Sequence, residues 1–226
     1  FRRVLFRSLT EVSQRTAAFF RPNFFVNTPD ILTEYLQFGG TPAYKIRAAL
    51  ASMAAPTWGM YAGYELIENV ARPGSEENID NEKYEYKFRD FAGAITAGRS
   101  IAPYIARLNA IRRAHPALQQ LRNLVVHHTD DDAILAFSKF LPAELSDSGS
   151  PDGVIVVLNT DPHAVRETMV RLDLVALGLE PDARFTVTDL ITGATFTWGN
   201  DNFVRLDSFT EPAHILSVSY AKESTT

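Results

Sequence analysis

The sequence predicts two kinds of structure in one chain, an α/β region of βα repeats with barrel-type inner strands and then an all-β antiparallel β-sandwich. Three observations carry this. The aromatic and β-branched run Asn23-Phe24-Phe25-Val26-Asn27 stops at Thr28-Pro29-Asp30, as a strand covered on both faces does before a fixed-φ residue ends its pairing. One helix later, the apolar run from Pro56 to Leu66 is interrupted by Gly59 and Gly63, so it reads as a second inner strand rather than a helix. Beyond Arg122 the pattern changes to short alternating runs between turn residues. A carboxylate at the carboxyl end of a barrel strand sits where such barrels keep their chemistry, which singles out Asp30. The alternative is that Asp30 caps a helix opening at Ile31, with Glu34 close behind.

Taken in order, residues 1–8 match neither a leader nor a domain start. They resemble the translation of a sequencing-adapter oligonucleotide and are read as non-native. Residues 9–121 are assigned to the barrel. Leu9 to Phe20 is a short amphipathic helix ending before Arg21-Pro22. A helical region after Asp30 breaks at Gly39-Gly40 and restarts at Thr41-Pro42, with an alanine-rich body from Ala43 to Ala55 that suits close packing on a sheet. The segment 72–90 is an insertion whose polar, acidic body, Arg72 to Lys87, is too long for an ordinary connection. A long helix is expected from Ile101 to Leu121, with Pro116 near its end.

Residues 122–226 are assigned to the sandwich. Strands are predicted over Ala133–Phe140, Gly153–Asn159, Thr168–Leu172, Arg184–Leu190, Thr195–Trp198, Phe203–Leu206 and Ala213–Ser217. The stretch 122–132 is expected to be a linker and turn, 146–152 an exposed hairpin tip, and 220–226 a tail. His127-His128 followed by Asp130-Asp131-Asp132 raises a metal site, but adjacent strand residues point to opposite faces, so none is assigned. Trp58 and Trp198 are read as core.

The composition excludes some classes of partner. A net charge of −5 with no basic stripe argues against a phosphate-backbone ligand, so no nucleic acid is expected. Cysteine is absent, which removes disulfides and thiolate metal sites. No apolar run has membrane-spanning length and no signal-like segment opens the chain, so the expected location is cytoplasmic, away from a membrane.

The strand ending in Asn27-Thr28-Pro29-Asp30, the step to Pro56-x-x-Gly59-x-Tyr61-x-Gly63-x-Glu65, the helix bearing Ile111-Arg112-Arg113-Ala114-His115-Pro116-Ala117-Leu118 and a sandwich containing Val156-Val157-Leu158-Asn159 occur in that order. Together they resemble the end of the catalytic barrel and the C-terminal domain of the α-amylase superfamily. Arg21 to Leu32, Gly74-Ser75-Glu76-Glu77 and Glu82-Lys83-Tyr84 look closer still to the bacterial α-1,4-glucan:maltose-1-phosphate maltosyltransferases. The resemblance covers nearly everything from Leu9 onward.

That resemblance implies a retaining glycosyl transfer by an Asp nucleophile, a Glu acid/base and a second Asp that stabilises the transition state. Asp30 matches the second Asp, whose charge-assisted contacts to sugar hydroxyls tighten as the ring flattens. Thr28-Pro29 replaces the usual sugar-binding His of the superfamily, in agreement with the maltosyltransferases. Lys83 and Tyr84 match the contacts to maltose 1-phosphate; without the family match, Lys83 reads as a solvated cation pairing Glu82 or Glu85. Asn27 is assigned to holding Asp30 or a sugar hydroxyl, or to forming the turn. Glu65 matches a structural acid of the last barrel strand rather than a catalytic partner of Asp30. Nucleophile and acid/base motifs are missing, so the chain alone is expected to be inactive. The resemblance implies maltose 1-phosphate and an α-1,4-glucan as substrates, a homodimer, and no metal or organic cofactor. The rival readings are a hydrolase or transglycosidase of the same superfamily, and a non-catalytic carbohydrate-binding or assembly module.

Overall fold

The computed structural model describes residues 7–80 and 86–220. The chain begins with helical turns over 7–15, widened over Glu11–Arg15. The helix therefore stops short of Phe20. Leu9 and Ala17 are buried, whereas Phe19 and Phe20 face outward.

The two expected inner strands are real but short. β1 (Phe24–Phe25) pairs in parallel with β2 (Trp58–Gly59), Phe24 opposite Trp58 and Phe25 opposite Gly59. Pairing over 23–30 and 56–66 was expected to run further. It ends because the next backbone groups find other partners: Val26 N still donates to Gly59 O at 3.0 Å, but Tyr61 N turns to the Asn27 side chain and Thr28 pairs with Ile31 across a tight turn. Beyond β2 the chain winds through one 3₁₀ turn, Tyr64–Leu66, bracketed by Gly63 at φ 98° and Ile67 at φ 58°. A β-branched residue in the left-handed region is strained and persists only where its surroundings dictate it.

Among the described residues, four α-helices beyond the first strand follow from local signals. α1 (Glu34–Phe38) and α2 (Gly40–Ala54) are separated at Gly39-Gly40; α2 restarts at Gly40, whose φ of 57° suits glycine, rather than at the expected Thr41-Pro42. α3 (Phe91–Thr96) lies in a stretch the sequence left unassigned and is capped by Asp90, whose Oδ1 accepts from Gly93 N at 2.8 Å. α4 (Ala102–Ala114) ends at His115, held extended by the following Pro116, so the expected helix to Leu121 is replaced by a 3₁₀ turn over Pro116–Gln119.

The second half is all antiparallel. β3 (Leu124–Thr129), β4 (Ile134–Leu141), β5 (Asp152–Asn159), β6 (Val165–Arg171), β7 (Phe185–Asp189), β8 (Thr195–Trp198), β9 (Asp201–Asp207) and β10 (Ala213–Val218) form one sheet in the order β8-β7-β10-β5-β4-β3-β6-β9. The expected two-sheet sandwich is thus a single sheet folded over on itself. The fold occurs at β3, which pairs with β4 over residues 124–127 and with β6 over 128–129. β3 also occupies much of the stretch expected to be a linker.

Period-two alternation on β4, β5 and β10 then fills two cores. Leu135, Phe137, Val154, Val156, Leu158 and Ile215 face the helices, against Leu36, Tyr44, Met53, Leu108 and Leu118. Ile134, Ala136, Ile155, Val157 and Leu216 face the folded-over part of the sheet, against Val170, Val204 and Leu206. The central strands are consequently buried on both faces, which is why β4 and β5 read as nearly continuous apolar runs. Among the described residues, no helix is long and apolar enough to cross a membrane.

Candidate functional site

Asp30 is exposed at the tip of a four-residue turn. Thr28 N donates to Ile31 O at 3.1 Å and Ile31 N to Thr28 O at 3.2 Å, so Pro29 and Asp30 occupy the two central positions. Proline suits the first of these because its φ is already fixed, and the short polar Asp suits the second. The helix that Asp30 was expected to cap begins instead at Glu34, with Thr33 as its N-cap residue, so the capping alternative is corrected.

Asn27 sits behind that tip, 3% exposed, and its Oδ1 accepts the amide of Tyr61 at 2.9 Å. This bond continues the β1–β2 connection where the ladder stops. Glu65 is engaged locally: its Oε2 accepts Gly63 N at 3.1 Å and its backbone oxygen accepts Ile101 N at 2.9 Å. Lys83 and Tyr84 lie outside the described residues.

The described part of the insertion runs back to the Asp30 turn. Asn78, 7% exposed, donates from Nδ2 to Thr28 O at 2.9 Å, and its backbone amide donates to Pro29 O at 3.2 Å. Leu32 N donates to Glu76 O. Glu76 Oε1 also accepts Glu34 N at 3.0 Å, so a carboxylate from the insertion satisfies the first turn of α1. Thr33 makes no such side-chain cap; its hydroxyl accepts from Arg47 Nη2 at 3.2 Å.

A second polar frame lies alongside. Glu68 forms a fork with Arg89, Nε to Oε1 at 2.8 Å and Nη2 to Oε2 at 3.0 Å, and Lys87 bridges Glu68 and Asp80 at 3.3 and 2.9 Å. Burial alone would raise the Glu68 carboxyl, but the Arg89 guanidinium and the Lys87 ammonium outweigh it and hold the group below the usual carboxylate range. A cleft of about 320 Å³ opens here, lined by Tyr61, Ile67, Glu68, Asn78, Asp80 and Lys87. The strained Ile67 forms part of its wall. Sequence reasoning gave no site role to Asn78 or the Glu68 frame, and Glu76 entered only as part of the Gly74–Glu77 motif; the other signal was the unusual length of the insertion.

The histidine pair divides as strand geometry requires. His127 is buried and His128 exposed, so they share no ligand position. Trp198 is buried, and Trp58 is half-buried with its Nε1 donating to Asn109 Oδ1 at 3.3 Å.

Residues 126–218 match the family described as "GLGE, C-terminal". The chain is 50% identical over 211 residues to the alpha-1,4-glucan:maltose-1-phosphate maltosyltransferase 2 of Streptomyces coelicolor, covering 93% of this chain and 30% of that protein. It is 53% identical over 207 residues to the alpha-1,4-glucan:maltose-1-phosphate maltosyltransferase of Corynebacterium glutamicum, covering 91% of this chain and 30% of that one. Among solved structures, an Anoxybacillus alpha-amylase superposes with a TM-score of 0.59 at 16% identity, over 93% of this chain and 42% of its own. The alpha-amylase of Geobacillus thermoleovorans, complexed with acarbose, gives 0.59 at 12% identity, over 96% and 44%. These likenesses show an α-amylase-type arrangement of the all-β region and its neighbouring helices.

Proposed function

We propose that this chain, about half identical to α-1,4-glucan:maltose-1-phosphate maltosyltransferases and spanning about 30% of their length, is the C-terminal part of such an enzyme. The parent enzyme moves maltosyl units from maltose 1-phosphate to the non-reducing ends of α-1,4-glucans with retention of configuration. The observation that carries this is identity of about half the residues across some nine-tenths of the chain. In this reading residues 9–121 supply the closing βα units of a (β/α)8 barrel, with 72–90 as an insertion, and 122–226 the C-terminal β domain. The parallel β1–β2 pair supports the barrel assignment, because parallel neighbours joined through a helix are its repeating unit.

Asp30 is the transition-state residue: an exposed carboxylate on a tight turn can accept charge-assisted hydrogen bonds that strengthen as the sugar ring flattens toward an oxocarbenium ion. Asn27 holds the base of that turn through Tyr61. Lys83 and Tyr84 contact the donor, Lys83 as a point charge facing the phosphate. The nucleophile and the acid/base belong to the remainder of the parent enzyme, and so the 226-residue chain is inactive by itself. A homodimer and a cytoplasmic location accompany this reading and rest on the family resemblance.

The test uses the full-length enzyme carrying this chain and follows phosphate release from maltose 1-phosphate together with elongation of a malto-oligosaccharide. Asp30→Asn keeps the shape and removes the charge, and kcat should fall about a hundredfold or more, on the order of 3 kcal/mol, with folding intact. Near-normal kcat would remove Asp30 from the chemistry.

A further inference from the structure

The turn that presents Asp30 is compatible with two shapes. With proline at its first central position, types I and II are both available, and they differ by a flip of the central peptide, here the Pro29–Asp30 peptide. That flip would reorient the Cα–Cβ bond of Asp30 and so re-aim its carboxylate. Local sterics lean toward type I, because type II would place Asp30 at positive φ, but aspartate tolerates that region well enough for the lean to be small. In the structure Asp30 has a negative φ, since Ile67 alone among the described non-glycine residues has a positive one, and this excludes the type II shape.

The marker of the central peptide is its carbonyl, Pro29 O. It receives two donors from Asn78, the backbone amide at 3.2 Å and Nδ2 at 3.3 Å, while the same Nδ2 reaches Thr28 O at 2.9 Å. Asn78 is buried, so these donors do not exchange freely with water. Glu76 completes the grip on the far side of the turn through Leu32 N and Glu34 N. A flipped peptide would carry Pro29 O away from both donors and leave a buried amide unpaired.

We propose that Asn78 is a positioning residue for the reaction, holding the Pro29–Asp30 peptide in the one orientation that aims Asp30 at the sugar. This rests on the reading of Asp30 as the transition-state residue. The insertion thereby acquires a role beyond ligand contact: its buried base sets the geometry of a group some fifty residues earlier in the chain.

The experiment is a double-mutant cycle in the full-length enzyme carrying this chain, with Asn78→Ala and Asp30→Asn measured singly and together. Misplacement of a reacting group by about 1 Å is enough for a hundredfold loss, so Asn78→Ala should lower kcat by about ten- to a hundredfold while the donor KM moves less than about threefold. If Asn78 acts through Asp30, adding Asn78→Ala to Asp30→Asn should cost less than about threefold more. Asn78→Asp, equal in size and still donating from its backbone, should repeat the kcat loss and guards against an Asn78→Ala protein that fails to fold. Unchanged kcat in either folded variant, or losses that multiply in full, would overturn the proposal while leaving Asp30 in place. Near-normal activity of Asp30→Asn alone would instead sink the reading beneath it.

Discussion

His127 makes the stability of this chain fall with acid in a way a single substitution removes. The side chain is 3% exposed on β3, with Nε2 2.8 Å from Ser138 Oγ and Nδ1 3.2 Å from the backbone amide of Asp173. An amide can only donate, so Nδ1 accepts and the ring proton sits on Nε2, directed at the serine. Protonating Nδ1 would set two donors face to face in a buried site. Burial lowers the pKa from 6.5 to about 4, the Asp173 carboxylate opposing it only in part. A histidine depressed on folding contributes stability that is fully present above its unfolded value and is lost as pH falls toward the folded one. Between about pH 6.5 and 4 the unfolded chain therefore binds one proton more than the native chain, and stability drops by about 1.4 kcal/mol per pH unit, some 3 kcal/mol in all. The measurement is urea unfolding, followed by tryptophan fluorescence, of the wild type and His127→Gln at about pH 7, 5.5 and 4.5. Asp189 and Glu68, both held below the usual carboxylate range, add an acid-dependent loss to both proteins, which cancels in the difference. The variant should start about 1–2 kcal/mol less stable at neutral pH, and the wild type should lose that lead by about pH 4.5. A gap that stays constant across the range would refute the buried neutral imidazole.

Three further outcomes are expected. Lys139→Met should cost about 2–4 kcal/mol in urea unfolding at neutral pH, because the buried amino group, its pKa pulled from 10.5 to about 7 mainly by burial, donates in either protonation state to the carbonyls of Ala54 and Leu118 at 3.2 and 3.4 Å and to Gln120; a gain in stability would mean that burying the group outweighs those bonds. Limited chymotrypsin digestion should cut first beside the exposed Leu145, in the 144–150 loop, and early cleavage inside β5 would contradict the two-sided burial of that strand. In the full-length enzyme carrying this chain, Lys83→Ala should weaken use of maltose 1-phosphate by about ten- to a hundredfold more than use of maltosyl fluoride, one charge-assisted contact being worth about 1.5–3 kcal/mol. Equal losses on both donors would reduce Lys83 to organising its loop.

The sequence by itself determined what depends on local periodicity and on residues that dictate their own backbone. β8 falls on the predicted Thr195–Trp198, and β5, β7 and β10 lie within a residue or so of expectation, because alternate positions of β5, β7 and β10 keep to one core along the strand. α2 and the first turns of α4 were legible for the same reason, although the helix was expected to run on to Leu121 and stops at Ala114, before Pro116. The likeness to the maltosyltransferases was also legible, since it lives in ordered motifs rather than in contacts.

Only the tertiary structure decided the rest. β3 carries no clean alternation because it leaves one layer and enters the other midway, so neither of its faces is the core face throughout, and it was read as a linker. The run at Asn23–Asp30 looked like a long strand, but strand length is set by a partner's free donors and acceptors, and those were claimed by Asn27 and by the Thr28–Ile31 turn. Lys139 shares the inward face with Leu135 and Phe137, and its amino group is accommodated because carbonyls of Ala54, at the end of α2 some 85 residues earlier, and of Leu118 and Gln120 are brought to it. The aim of Asp30 belongs to the same class. Proline and aspartate favour a turn, and aspartate leans it toward type I, while the hydrogen bonds that hold its central peptide come from Asn78, which only the fold brings there.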